Sequence, residues 1–213
     1  MKREKQAYKS IGNELLLFTI SIFPTVGDLY SFYGLYFIDT QEPSPYTTTI
    51  KNGMRCFMAE KTVIQLGKVV KSFTLQDQFG QDFVLSKMKG RRVLLSFHPL
   101  AWTPVCTRQM QSLEKNKKVF DKFNTIAAGL SVDSVPCKAA WAKAIKIKQT
   151  KLLADFWPHG NVAKSLGLFR EQNGFSQRAN VILDQAGKVC FLKVYPIKEL
   201  PDIDEIIAFL KNA

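Results

Sequence analysis

From Met58 onward short apolar runs alternate with amphipathic segments, and this order constrains the fold more than any other feature of the chain. Residues 73–77 and 82–85, joined through Phe79-Gly80, read as two short strands of a hairpin. The apolar run 92–98 suits a buried strand. Val105, Gln109, Leu113, Phe120 and Phe123 then recur at roughly helical spacing, and 126–132 reads as the next strand. A helix carrying Ala139, Trp141, Ala142 and Ile145 follows. Beyond it lie the short run 152–155, a short helix at 162–166, and the runs 181–184 and 189–194, which flank the turn Gln185-Ala186-Gly187. Asp202 or Asp204 can cap a last helix, whose Ile203, Ile206, Ile207 and Leu210 form an apolar stripe. Strands interleaved with helices, ending in a hairpin and a helix, specify an α/β core.

Residues 1–57 have a different character. A basic start (Lys2, Arg3, Lys5, Lys9) precedes an apolar run at 15–23, and a second, aromatic run occupies 29–38. A polar linker with Pro43 and Pro45 closes the stretch. Both runs are shorter than the ~18–20 residues of a membrane span. No small-residue cleavage site follows Phe23, as a signal peptide would need. Three readings stay open for 1–57: an extension upstream of a true start at Met54 or Met58, a signal, or a membrane-surface anchor. The folded domain is expected over 58–213. The net charge of +12 belongs almost wholly to that part, because residues 1–57 carry six Lys/Arg against five Asp/Glu. Its lysines are scattered. The densest group, Lys115, Lys117, Lys118 and Lys122, fits the wet side of a helix, so no nucleic-acid partner is expected.

Four cysteines, Cys56, Cys106, Cys137 and Cys190, include no C-x-x-C pair, which removes the common zinc and dithiol motifs. His98 and His159 lack finger-like spacing from any cysteine, so no metal is expected. Without a G-x-G-x-x-G or a phosphate loop, no nucleotide cofactor is expected either. What remains is isolated cysteines that are either buried apolar groups or a reactive thiol with helpers. The informative stretch is Phe97-His98-Pro99-Leu100-Ala101-Trp102-Thr103-Pro104-Val105-Cys106. A strand ends, a loop follows, and a helix starts with Thr103 as N-cap and Pro104 at its first position. Cys106 falls in the first turn, where free N–H groups and the helix dipole favour an anion such as a thiolate. The alternative is a cysteine that simply packs beneath the helix.

Pro99-x-x-x-Thr103-x-x-Cys106 resembles the signature of the peroxiredoxins, thiol peroxidases built on a thioredoxin-like fold: a central mixed sheet flanked by helices. Ser131-Val-Asp133-Ser134, a helix with Trp141, and Arg178 before the strand 180–184 occur in that family's order, so the resemblance runs over about 62–213. It implies that Cys106 is the peroxidatic nucleophile, with Pro99, Thr103 and Arg178 completing the site. The thiolate would attack a peroxide and become a sulfenic acid. Thr103 would direct its hydroxyl to sulfur or peroxide, Arg178 would supply a fixed positive charge, and Pro99 would cover the sulfur without offering a donor. Gln109 departs from the family, which commonly has Glu there; it can bond Arg178 but cannot neutralise it. His98 is expected to be structural.

A sulfenic acid needs a second thiol. Cys137, in the first turn of the next helix, is either the resolving cysteine or a packing residue. Cys190 reads as a buried strand residue, and Cys56 lies in the linker. If none serves, an external thiol must. The implied function is a cytoplasmic peroxidase that reduces hydrogen peroxide and alkyl hydroperoxides with thioredoxin or a similar thiol reductant. A homodimer is open, and a membrane partner is not expected. The alternatives are a thioredoxin-like disulfide reductase and a non-catalytic redox-sensing module.

Overall fold

Alternation along the apolar run 92–98 sends successive side chains to opposite faces of one sheet, and the rest of the fold closes over both faces. The computed structural model describes residues 62–213. The basic start, the apolar runs at 15–23 and 29–38, the linker and Cys56 lie outside the described residues.

The first hairpin pairs β1 (Thr74–Gln76) with β2 (Asp82–Val84) around Asp77, whose carboxylate accepts the amides of Phe79 and Gln81 at 2.8 and 3.0 Å. Strands β3 (Arg92–Phe97), β4 (Thr125–Ser131) and β5 (Lys151–Ala154) are parallel neighbours. Parallel pairing demands crossovers. Helices α1 (Pro104–Lys115) and α2 (Lys117–Lys122) make the first, and α3 (Val135–Ala144) makes the second. A short helix α4 (Asn161–Ser165) and a separate ribbon of β6 (Phe169–Arg170) and β7 (Phe175–Ser176) lead back to the sheet. There β8 (Arg178–Leu183) pairs antiparallel with β3, and β9 (Val189–Tyr195) extends the edge. The seven-stranded order is β2-β1-β5-β4-β3-β8-β9. Helix α5 (Ile203–Asn212) closes the chain, and of the two possible caps it uses Asp202, which accepts the Asp204 amide at 2.9 Å.

The helical spacing from Val105 to Phe123 is interrupted at Asn116. Asn116 ends α1 and precedes α2, and its side-chain amide donates to the Ser112 carbonyl at 2.9 Å beside the backbone bond that its own N–H makes to that carbonyl at 3.2 Å.

Val93, Leu95 and Phe97 of β3 join one core cluster with Val162 and Ala163 of α4. Leu94 joins the other, with Cys106, Met110 and Leu113 of α1, Trp141 and Ala142 of α3, and Ile206 and Leu210 of α5. Gly129 in β4 lets α1 approach the second face closely, since a Cβ there would overlap Met110 Sδ. Among the described residues no helix is long and apolar enough to cross a membrane.

Candidate active site

The site is built where β3 ends. His98 and Pro99 are buried, and the chain turns through residues 100–103 before Pro104 opens α1. Trp102 adopts a left-handed φ of 66°, a conformation that costs a non-glycine residue energy and often marks a functional turn. Thr103 occupies the N-cap position but gives α1 no side-chain cap. Its hydroxyl donates instead to the Leu100 carbonyl at 3.1 Å and so closes the loop on itself.

Cys106, in the first turn of α1, is wholly buried. Arg178, the first residue of β8 and also buried, directs Nη2 at the Cys106 sulfur, 3.5 Å away. Its other donors are fixed: Nε and Nη2 reach the Ile197 carbonyl at 3.1 and 2.8 Å, and Nη1 makes a short bond to Gln109 Oε1. Gln109 Nε2 in turn donates to Ser96 Oγ at 2.8 Å and to the Phe97 carbonyl at 3.2 Å. Ser96 donates to Asn180 Oδ1 at 2.8 Å, and the chain of contacts continues through Tyr195 to Glu205. Burial, foremost, pushes the Tyr195 phenol up to about 12, with Glu205 adding to it against the Asn180 contact. Arg178 forms no ion pair with a carboxylate among the described residues. Neutral dipoles surround it, and the sulfur is the one acceptor that can carry a full negative charge.

A second polar group lies under the loop. Asp133 Oδ2 accepts the Ala101 amide at 2.9 Å and the Ser131 hydroxyl at 2.6 Å, while the Cys137 thiol sits 3.8 Å from Asp133 Oδ1. Lys138, fully buried, donates to Ser131 Oγ at 2.6 Å. His98 stacks near Trp141 with ring centroids 5.4 Å apart, and neither ring nitrogen has a hydrogen-bond partner. Burial, then Lys138, hold His98 well below its usual value, so the ring is neutral.

The expected site residues are therefore brought together unequally. Cys106, Arg178 and Gln109 are in direct contact or one bond apart. Pro99 is buried at the start of the loop, and the Thr103 hydroxyl faces Leu100 rather than the sulfur. Cys137 is half-buried and packs against the cluster that contains Cys106. Cys190, expected to be buried, is half-buried; its thiol lies 3.4 Å from the Ile182 carbonyl, and burial pushes it up, toward the unreactive neutral form. Sequence reasoning missed Ser96, Asn180 and Lys138. Lys138 was within reach, since it shares the i, i+3, i+4 stripe of Trp141 and Ala142.

A buried cysteine opening the helix after the central strand of a thioredoxin-like sheet, faced by an arginine from the antiparallel neighbour, defines the thiol-dependent peroxidases as a class. The AhpC/TSA family model matches residues 66–191, and the chain belongs to that family. It is 33% identical over 141 residues to alkyl hydroperoxide reductase E of Mycobacterium tuberculosis, covering 66% of this chain and 92% of that protein. A peroxiredoxin of Hyperthermus butylicus is 36% identical over 153 residues, 69% of this chain and 65% of its own length. Among solved structures, the reduced 2-Cys peroxiredoxin of Plasmodium vivax superposes with a TM-score of 0.62 at 27% identity, covering 68% of this chain and 80% of that one. The peroxidoxin BcpB of Mycobacterium tuberculosis gives a TM-score of 0.62 at 26% identity over 70% and 97%.

Proposed function

We propose that Cys106 is the thiol that carries the peroxidase reaction and that Arg178 is its electrostatic partner. The observation that carries this reading is the 3.5 Å contact between Arg178 Nη2 and the Cys106 sulfur inside a site closed to water. The thiolate attacks one oxygen of a hydroperoxide, the O–O bond breaks, and Cys106 becomes a sulfenic acid. The departing oxygen takes up a proton and leaves as water or an alcohol. Arg178 stabilises negative charge first on the sulfur and then on that oxygen, without reorganising. Pro99 lends the loop a residue without an N–H, so it offers the sulfur no competing donor. The Thr103 hydroxyl must exchange Leu100 for the peroxide to take part, one side-chain rotation away.

Hydrogen peroxide and alkyl hydroperoxides are the proposed substrates, supported by the small buried thiol and by the name of the mycobacterial relative. Cys137 is the proposed resolving cysteine. Its thiol attacks the Cys106 sulfur, a disulfide forms and water leaves; a dithiol such as thioredoxin then restores both thiols. Both cysteines belong to first turns of helices that pack on one face of the sheet. A disulfide needs Cα atoms within about 7 Å, so one of these turns unwinds during the cycle. Residues 58–213 form the enzyme domain in this reading, working in the cytoplasm, with 1–57 as an extension.

One equivalent of peroxide followed by thiol trapping and non-reducing peptide mapping tests the scheme. A 106–137 link within one chain is the expected product, and Cys106→Ser is expected to abolish turnover with the fold intact. Peroxide turnover by Cys106→Ser would overturn the assignment. A lasting sulfenic acid at Cys106 with Cys137 free would replace resolution within the chain by an external thiol.

A further inference from the structure

Lys138 has no task in the chemistry above, yet it is one of the largest side chains sealed from water. A buried ammonium is costly unless it is paired and hydrogen-bonded, and a well-packed apolar residue of similar volume is often no less stable. Its contacts run in one direction. Lys138 Nζ donates to Ser131 Oγ at 2.6 Å, Ser131 donates to Asp133 Oδ2 at 2.6 Å, and the same oxygen accepts the Ala101 amide at 2.9 Å. Ala101 lies in the loop that delivers Cys106. A charge on α3 is thereby tied, through two side chains, to the backbone that orients the first turn of α1. With Lys138 charged, the Ser131 hydroxyl must point its proton at Asp133, because its lone pairs face an ammonium.

We propose that Lys138 is a positioning residue for the peroxide reaction at Cys106, holding the 99–103 loop through Ser131 and Asp133, and that the hold weakens when the ammonium loses its proton. The proposal rests on Cys106 being the attacking thiol. Burial, its largest influence, brings Lys138 down to about 8, against the pull of Asp133, Cys137, Asp155 and Cys106, in that order. The groups facing it are thus Asp133 before α3, Cys137 on α3, Asp155 after β5 and Cys106 on α1, together with His98 after β3, which is neutral. Above about pH 8 the amine is neutral, Ser131 is free to reverse its proton and donate to it, and Asp133 keeps only the Ala101 amide and the weak Cys137 contact.

The test is the rate of Cys106 oxidation by hydrogen peroxide, followed by stopped-flow tryptophan fluorescence from pH 6 to 9.5, with the Ala101 amide shift followed by NMR over the same range. Wild type is expected to lose rate above pH 8 while the Ala101 amide moves with the same midpoint. Lys138→Met is expected to be slower by about tenfold or more, the scale of a small misplacement near reacting atoms, and to show no fall above pH 8. Lys138→Arg, which stays charged, should regain most of the rate and also lack the fall. Ser131→Ala keeps the cation but cuts the link, and is expected to be slow as well; it decides the matter if Lys138→Met does not fold. A wild-type rate that holds through pH 9.5, or an unchanged rate in Ser131→Ala, overturns the proposal. Cys106→Ser serves as the control: peroxide consumption by that variant would instead overturn the assignment of Cys106.

Discussion

Arg178 is a permanent cation almost sealed from water, and the side chain that meets it from α1 is an amide. A glutamate at position 109 would divide the guanidinium's charge between a carboxylate and the sulfur. Gln109 supplies only a dipole, and its own amide end is committed to Ser96 and Phe97. The Ile197 carbonyl takes two of the donors. The arrangement fixes the fork with neutral partners and leaves its net charge for the sulfur and the oxygen it attacks. Arg178→Ala is therefore expected to slow Cys106 oxidation by about 10²–10³-fold, the scale of removing one preorganised stabiliser. Arg178→Lys should recover only part of that rate, because an ammonium cannot reach Ile197, Gln109 and the sulfur in one plane. Stopped-flow rates on variants checked by circular dichroism measure both. An alanine variant as fast as wild type would reduce Arg178 to a structural role.

At the scale of elements, the site depends on α1 being seated correctly, and Glu114 near the end of that helix ties it to the sheet. Its carboxylate accepts the amides of Lys148, Gln149 and Thr150 at 2.8–3.0 Å, gripping the turn that leads into β5. Burial pushes this carboxyl up, but the hydrogen bonds from Thr150, Lys148 and Gln149 outweigh it and leave it below its ordinary value of 4.5. A lowered carboxyl contributes stability that is present above its unfolded value and is lost as pH falls through the folded one. Glu114→Gln keeps an acceptor but loses the charge, so it should cost about 1 kcal/mol at pH 7, the difference between hydrogen bonds to a charged and to a neutral acceptor. The gap to wild type should narrow as pH drops below 4, which urea unfolding at pH 7 and pH 3.5 would read. A gap independent of pH would remove the charge from the account. The strands of the main sheet and most helices were legible in the sequence because periodicity is local, and so was the Thr103-Pro104-Cys106 start of α1, whereas the two-residue strands of the β6–β7 ribbon are too short to show a period. The direction of the Thr103 hydroxyl was not, since one side-chain torsion decides it. Nor was the Ser96–Asn180 bond, which joins residues 84 apart and depends on the β3–β8 register.

For the molecule as a whole, the question is how much chain the enzyme needs. Among the described residues, 62–213, two clusters cover the sheet, the first with Val63 and Ile64 at its margin and the second with Phe209 at its margin and Leu210 within it. A domain of about 150 residues buries about 68–70% of the surface its unfolded chain exposes, which is enough for independent stability. Cys106, Arg178, Gln109, Asp133 and Lys138 all belong to this part. A chain starting at Met58 is therefore expected to unfold cooperatively, with the melting temperature of the full chain, and to react with peroxide at the full-chain rate. Poor solubility is not expected to obscure the result, because removing 1–57 takes away two apolar runs and leaves 24 Lys/Arg against 13 Asp/Glu. Thermal circular dichroism and stopped-flow oxidation, each compared with residues 1–213, give the answer. A chain that fails to fold would make 1–57 part of the core. One that folds but reacts slowly would give that stretch a part in shaping the site, since the loop around Trp102 could then be intact in sequence yet wrongly held.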